Sequence, residues 1–262
     1  MGLTFLSSGS NAPIKPSRPK PLPRRPLIAL AGNPNTGKST LFNALTGLRQ
    51  HTGNWPGKTV LKATGTYYYR DKKFLLVDLP GTYSLLAKSA DEEVARDFIC
   101  FGHPDAIVVV TDATSLERNL NLVLQVMEIS PQVVVCVNLM DEARRRKMRV
   151  DVEALSRELG VPCIPTAARN GVGLEELKEA IYNVATGKIT PSPRLVTYAP
   201  EVEQAAAELA AQIRPYLPRR VNHRWVALRL LEGDYSIVEA ICGHQDEESE
   251  KAARREVAAW AR

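Results

Sequence analysis

Cysteine is scarce in this chain and never occurs in a C-x-x-C spacing: Cys100, Cys136, Cys163 and Cys242 stand far apart. That pattern argues against a disulfide framework or a thiolate metal cluster, and reads as isolated thiols in a reducing compartment. No apolar run approaches the ~20 residues that a membrane-spanning helix needs. The start, Met1-Gly2-Leu3-Thr4-Phe5-Leu6, is too short and too uncharged for a secretory signal. Histidine is sparse too. His51, His103, His223 and His244 are isolated from one another and from the cysteines, and Glu247-Glu248 near His244 reads as a solvated helix start.

Acidic residues are missing from residues 1–26, which hold Lys15, Arg18, Lys20, Arg24 and Arg25 and so account for the whole net charge of +5. The rest of the chain is formally balanced. No basic face is demanded of it, and no nucleic-acid partner is expected. The same stretch carries Pro13, Pro16, Pro19, Pro21, Pro23 and Pro26, so residues 1–26 are expected to be a disordered or extended linker. What remains has the 44% apolar and 24% charged content of a soluble globular protein. Its 262 residues suffice for one or two domains.

The most informative stretch is Gly32-Asn33-Pro34-Asn35-Thr36-Gly37-Lys38-Ser39, which fits G-x-x-x-x-G-K-[ST]. Before it, residues 27–31 read as a buried strand. After it, Thr40 opens an apolar run of helical spacing that Gly47 stops. Strand, glycine loop and helix start form a phosphate cradle: backbone N–H groups converge and the helix N-terminus adds positive potential. Lys38 can reach β- and γ-phosphates, and the Ser39 hydroxyl can ligate Mg²⁺.

Residues 48–60 read as a loop. Residues 62–69 and 73–77 read as a hairpin, and 106–110, 133–137 and 161–165 as further strands. Helices are expected over 91–101, capped by Asp91, and over 116–129, 151–159 and 174–185. This alternation predicts an α/β domain with a mostly parallel sheet of six strands. Beyond Pro191, Pro193 and Pro200 no β-rich run recurs, and residues 190–262 read as a small all-α domain with helical stretches at 201–217 and 247–260.

Two further motifs fall at strand ends, where ligands bind in such sheets. Asp78-Leu79-Pro80-Gly81 matches D-x-x-G: the carboxylate can hold Mg²⁺ through water and the Gly81 N–H can sense a γ-phosphate. Asn138-Leu139-Met140-Asp141 matches N-x-x-D, in which Asp141 can accept from both guanine N1–H and the 2-amino group. The usual motif has Lys where Leu139 stands. Asp141 can also be read as a helix cap. Thr59 can ligate Mg²⁺ from the loop, although spacing alone does not choose it over Thr52.

Together with Gly53-Asn54-Trp55-Pro56-Gly57-Lys58-Thr59-Val60, Asp78-Leu79-Pro80-Gly81-Thr82-Tyr83-Ser84-Leu85 and Leu116-Glu117-Arg118-Asn119-Leu120, these motifs resemble the cytosolic part of the bacterial ferrous iron transport protein B family (FeoB). The resemblance spans residues 27–187 and implies a Ras-like GTPase domain there, with a helical guanine-nucleotide-dissociation-inhibitor domain at 190–262. It implies GTP and GDP binding, Mg²⁺, slow hydrolysis, and coupling to a downstream membrane domain that moves Fe²⁺ and is absent here. By that resemblance this part is soluble, at the cytoplasmic face of the bacterial inner membrane, with small Feo accessory proteins and a homo-oligomer among the partners to consider. Nucleotide contacts would run from Gly32 to Thr40 and include Asn138, Leu139, Asp141 and the base loop Thr166-Ala167-Ala168. Gly57, Lys58, Thr59 and residues 78–81 would switch. Lys58 stands where the family commonly has an apolar residue. Ala167 stands where a Ser hydroxyl often supports the base loop.

Thr82 follows Gly81, where some GTPases place Gln to orient water. Charge developing between the β- and γ-phosphates then needs another stabiliser, and K⁺ held by Asn35 is the candidate. The alternatives are a ribosome-assembly or RNA-modifying GTPase, and a nucleotide-sensing module with negligible turnover. The first would want a basic appendage or a G-x-x-G clamp, and residues 190–262 contain neither.

Overall fold

The computed structural model describes residues 25–47, 50–55, 58–218 and 221–243. The expected proline-rich linker except Arg25 and Pro26, Gly57 of the expected switch, and the helix expected over 247–260 lie outside the described residues. So does His244 with its neighbouring glutamates.

Seven strands form one sheet in the order β2-β3-β4-β1-β5-β6-β7. The central strands are β1 (Leu27–Gly32), β5 (Ala106–Asp112) and β6 (Val133–Asn138). They are β-branched and apolar because helices cover both faces, so neither face alternates with water. β1 pairs in parallel with β5 and with β4 (Lys72–Asp78), and β6 pairs in parallel with β7 (Cys163–Pro165). β3 (Leu61–Tyr69) runs antiparallel to β4 across a two-residue turn at Arg70-Asp71.

One strand was not expected. β2 (Gln50–Asn54) lies within the stretch read as loop and pairs antiparallel with β3. Its polar sequence has no apolar alternation. An edge strand needs only backbone pairing with its one neighbour, so its side chains need not be apolar.

Helices α1 (Lys38–Thr46) and α6 (Leu174–Ala185) cover one face, where Leu41, Phe42 and Leu45 share one core with Leu177 and Ile181. The other face carries α2 (Ala90–Phe101), α3 (Leu116–Ile129) and α5 (Val152–Leu159), and it contains the larger core. The cap of α2 is Ser89, whose hydroxyl accepts from the Glu92 N–H, and not Asp91, which sits inside the first turn. Cys100, Cys136 and Cys163 are buried free thiols. Burial pushes each up to about 12, so none is a thiolate near neutral pH.

The C-terminal part is helical as expected, with α7 (Pro200–Ile213), α8 (His223–Leu231) and α9 (Ser236–Gly243). α7 ends before the expected Leu217: Pro215 falls in a short 3₁₀ turn, Arg214–Tyr216, that follows it. Val221, Trp225, Val226, Ile237 and Ile241 join the core beneath α2 and α3, so these helices pack directly on the sheet domain. Asn222 donates to the Glu128 carbonyl at 2.8 Å and Tyr198 to the Glu128 carboxylate at 2.9 Å.

Candidate nucleotide site

The chain leaves β1 toward β4 on one side and later toward β5 on the other. This reversal of strand order opens a crevice at the carboxyl end of β1. The glycine loop fills that end. Asn35 holds φ 67° and Gly37 φ 82°, and asparagine and glycine are the residues that tolerate this left-handed region. At Gly37 space is limiting too, since an added Cβ would lie 2.5 Å from the Asn138 amide nitrogen.

Lys38 reaches across the crevice to the D-x-x-G stretch. Its Nζ lies 2.5 Å from Asp78 Oδ1 and 2.6 Å from the Leu79 carbonyl. Burial raises the Asp78 carboxyl above its ordinary value, while Lys38 opposes that by charge and hydrogen bond. Thr82 N–H donates to the Gly32 carbonyl at 3.3 Å, and a Cβ added at Gly81 would lie 3.5 Å from Pro34. Two stretches about forty to fifty residues apart are thus tied at both ends of the cradle. Ser39 and Thr40 are exposed on the first turn of α1, with Ser39 next to Lys38. The Ser39 hydroxyl and the Asp78 carboxylate are hard oxygen donors of the kind Mg²⁺ takes.

Asn33 behaves differently from its neighbours. It is buried, and neither atom of its amide has a hydrogen-bond partner in the protein. Thr36 is buried as well, and its hydroxyl donates to the Asn33 carbonyl at 2.9 Å.

Asn138 joins the loops. Its Nδ2 donates to the Thr36 carbonyl at 2.9 Å, and its Oδ1 accepts from the Thr166 hydroxyl at 3.1 Å and the Ala168 N–H at 3.0 Å. Leu139, at φ 61°, turns the chain into the short helix α4 (Met140–Arg145). Asp141 lies in the first turn of α4, and the capping position belongs to Leu139. Asp141 Oδ2 receives Asn170 Nδ2 at 3.2 Å and faces Arg145 at 3.4 Å. Asn170 ends the 3₁₀ turn Ala168–Asn170. It was missed from sequence because nothing at position 170 points 29 residues back to Asp141.

The structure separates Thr52 from Thr59. Thr52 is locked in β2 opposite Ala63, whereas Thr59 is exposed and lines an open groove of about 520 Å³ with Pro80, Gly81 and Asp91. The loop before it leans on α2. Trp55 is buried with its ring 5.3 Å from that of Phe98, edge to face, and Lys58 Nζ lies 2.5 Å from Glu93 Oε2.

A glycine loop, a D-x-x-G carboxylate and an N-x-x-D stretch at the carboxyl ends of β1, β4 and β6 define a P-loop nucleotide-binding domain of the Ras-like class, followed by a helical domain. The comparisons with known proteins give the particular family. A family model for ferrous iron transport protein B matches residues 27–181, and one for the FeoB cytosolic helical domain matches residues 198–260. The chain belongs to the FeoB family. It is 43% identical over 211 residues to the Fe(2+) transporter FeoB of Escherichia coli K12, a match covering 79% of this chain but 27% of that protein. The chain thus spans about a quarter of the length of the curated relatives it matches. The cytosolic domain of T. maritima FeoB in a GDP form is 36% identical with a TM-score of 0.76, covering 90% of this chain and 93% of that one. The cytosolic domain of L. pneumophila FeoB is 32% identical with a TM-score of 0.73, covering 89% and 97%.

Proposed function

We propose that residues 27–187 bind GTP and GDP with Mg²⁺ and hydrolyse GTP slowly, and that residues 190–262 form the helical domain of the same switch. The observation that carries this reading is the junction at Asn138, which ties the phosphate loop to the base loop. In this reading Gly32, Asn33, Pro34, Asn35, Thr36, Gly37, Lys38, Ser39 and Thr40 form the phosphate cradle, and Asn138, Leu139, Asp141, Thr166, Ala167 and Ala168 form the guanine site. Ser39, Thr59 and Asp78 serve Mg²⁺. Thr59 closes on a γ-phosphate together with Gly57 and Lys58, and Gly81 senses the same group. The T. maritima relative occurs in GDP and GMPPNP forms, which supports a nucleotide-dependent switch here. The switch would couple to a membrane domain that moves Fe²⁺, placing this part at the cytoplasmic face of the inner membrane. Small accessory proteins and a second copy of the chain are further partners of that assembly.

Asp141→Asn tests base choice. The amide replaces one acceptor oxygen with a donor, so GDP and GTP affinity should fall by about 1–3 kcal/mol. Affinity for xanthosine nucleotides, whose 2-oxo group accepts, should rise. Calorimetric titration with both bases reads this directly, and unchanged GDP affinity would remove Asp141 from the site.

Turnover is the second question. Thr82 is buried and its hydroxyl donates to the Ser84 carbonyl at 2.7 Å, so it is not free to orient an attacking water. That favours either negligible turnover or help from an ion. Asn35 is exposed on the glycine loop, and its amide oxygen suits K⁺. A monovalent ion bound there would stabilise charge between the β- and γ-phosphates. Phosphate release should be faster in K⁺ than in Na⁺ at equal ionic strength, with GDP affinity little changed, and Asn35→Ala should lose the difference while still binding GDP. Equal wild-type rates in the two salts would dismiss the ion. No release in either salt would leave the nucleotide-sensing module as the better description.

A further inference from the structure

We propose that Asn170 is a positioning residue for guanine: it orients the Asp141 carboxylate for the two donors of the base. The proposal rests on the reading of Asp141 as the base-recognising carboxylate. Bidentate recognition demands a fixed carboxylate plane, because both guanine donors must meet oxygens at once. A half-buried aspartate on the first turn of a six-residue helix has no such plane by itself. Ala167 offers only a methyl group, so the position from which a hydroxyl often supports the base loop supplies no donor here.

Asn170 supplies one from three residues further on, with Nδ2 3.2 Å from Asp141 Oδ2. Its own placement is fixed by backbone. Ala167 and Val172 exchange hydrogen bonds at 3.0 and 3.3 Å, closing a small loop that carries Asn170, and the Asn170 N–H donates to the Ala167 carbonyl at 2.8 Å. The base of that loop is held by Ala168 on Asn138. A donor on so short a closed loop loses little freedom when it binds a carboxylate.

Arg145 also faces Oδ2, at 3.4 Å, but its side chain is 69% exposed and shared with Glu142 at 3.1 Å. A screened pair of this kind orients weakly. Both contacts fall on Oδ2. A carboxylate has about four lone-pair sites, two on each oxygen, so guanine N1–H and the 2-amino group take a site on Oδ1 and the site on Oδ2 that the weakly held Arg145 gives up, while Asn170 stays in place.

The discriminating probe is inosine diphosphate, which keeps N1–H and lacks the 2-amino group. A single hydrogen bond tolerates rotation of the carboxylate, whereas a pair does not. Asn170→Ala should weaken GDP about three- to tenfold, the loss of one modest hydrogen bond, and IDP by less than about twofold. The GDP/IDP affinity ratio therefore falls. Asn170→Asp sets a second negative charge against Asp141 and should lower GDP affinity further. Thermal unfolding without nucleotide should be the same for all three proteins, since residue 170 is exposed. A wild-type GDP/IDP ratio in Asn170→Ala overturns the proposal. Equal affinity of the wild-type protein for GDP and IDP overturns the reading of Asp141 instead, so the two failures are distinct.

Discussion

Lys38→Ala should abolish tight binding of GDP and GTP alike. In the proposed function Lys38 meets phosphate in either state, and losing a charged partner of this kind costs about 2–5 kcal/mol, or roughly 30- to several-thousand-fold in affinity. Calorimetric titration with GDP and with a non-hydrolysable GTP analogue checks it. A variant that lost GTP and kept GDP would show that Lys38 acts on the γ-phosphate alone.

The same substitution has a consequence for stability. Burial raises the Asp78 carboxyl, and both influences that lower it come from Lys38. Removing Lys38 therefore moves Asp78 further up. A carboxyl whose folded value exceeds its unfolded value binds more protons folded than unfolded between the two. Stability then falls as pH rises through that window. Nucleotide-free Lys38→Ala should accordingly be less stable than wild type at neutral pH, with the gap narrowing as the pH is lowered toward the ordinary carboxylate range. Thermal unfolding at several pH values reads the slope. A gap that widened on acidification would contradict the assigned role of Asp78.

Arg96→Ala should cost the most stability. Arg96 lies on α2 and is 1% exposed. Its guanidinium meets Asp97 at 2.8 Å, Asp234 at 3.5 Å and the Ser236 hydroxyl at 2.7 Å. The last two stand just before and at the start of α9, so one buried cation joins the sheet domain to the helical domain. Removing one member of a buried charged group costs about 3–5 kcal/mol, out of the 5–15 kcal/mol that typically holds a domain folded. At about 2–4 °C per kcal/mol for a protein of this size, the midpoint of thermal unfolding should fall by roughly 6–20 °C. Arg96→Lys keeps the charge but not the fork that reaches three partners, and should fall between the two. A midpoint within a degree or two of wild type in Arg96→Ala would show that water replaces the guanidinium at little cost.

Two of the misread local patterns went wrong for different reasons. The cap of α2 was available in sequence: Ser89 stands three residues before Glu92, the spacing of a capping box. Asp91 is an equally good capping residue type, and only the backbone shows where the helix begins. β2 was not available. Gln50-His51-Thr52-Gly53-Asn54 has no alternation, and its strand state comes from the open edge of β3, which no property of those five residues reveals.

What the sequence determined by itself is whatever depends on neighbours along the chain. The apolar runs of β1, β5 and β6, the glycine loop between β1 and α1, and the motifs at strand ends each follow from local spacing, because strand burial and phosphate-loop geometry are set within a few residues. Tertiary structure decided what depends on approach between distant segments. It brought Lys38 onto Asp78, placed Asn170 against Asp141, set Thr59 and not Thr52 on the groove, buried the Asn33 side chain, and set the buried Arg96 against Asp234, 138 residues away. Each of these depends on the approach of segments whose separation in sequence carries no periodicity. A hydrogen bond or ion pair acts over about 3 Å, and only the packed sheet and its helices bring such groups that close.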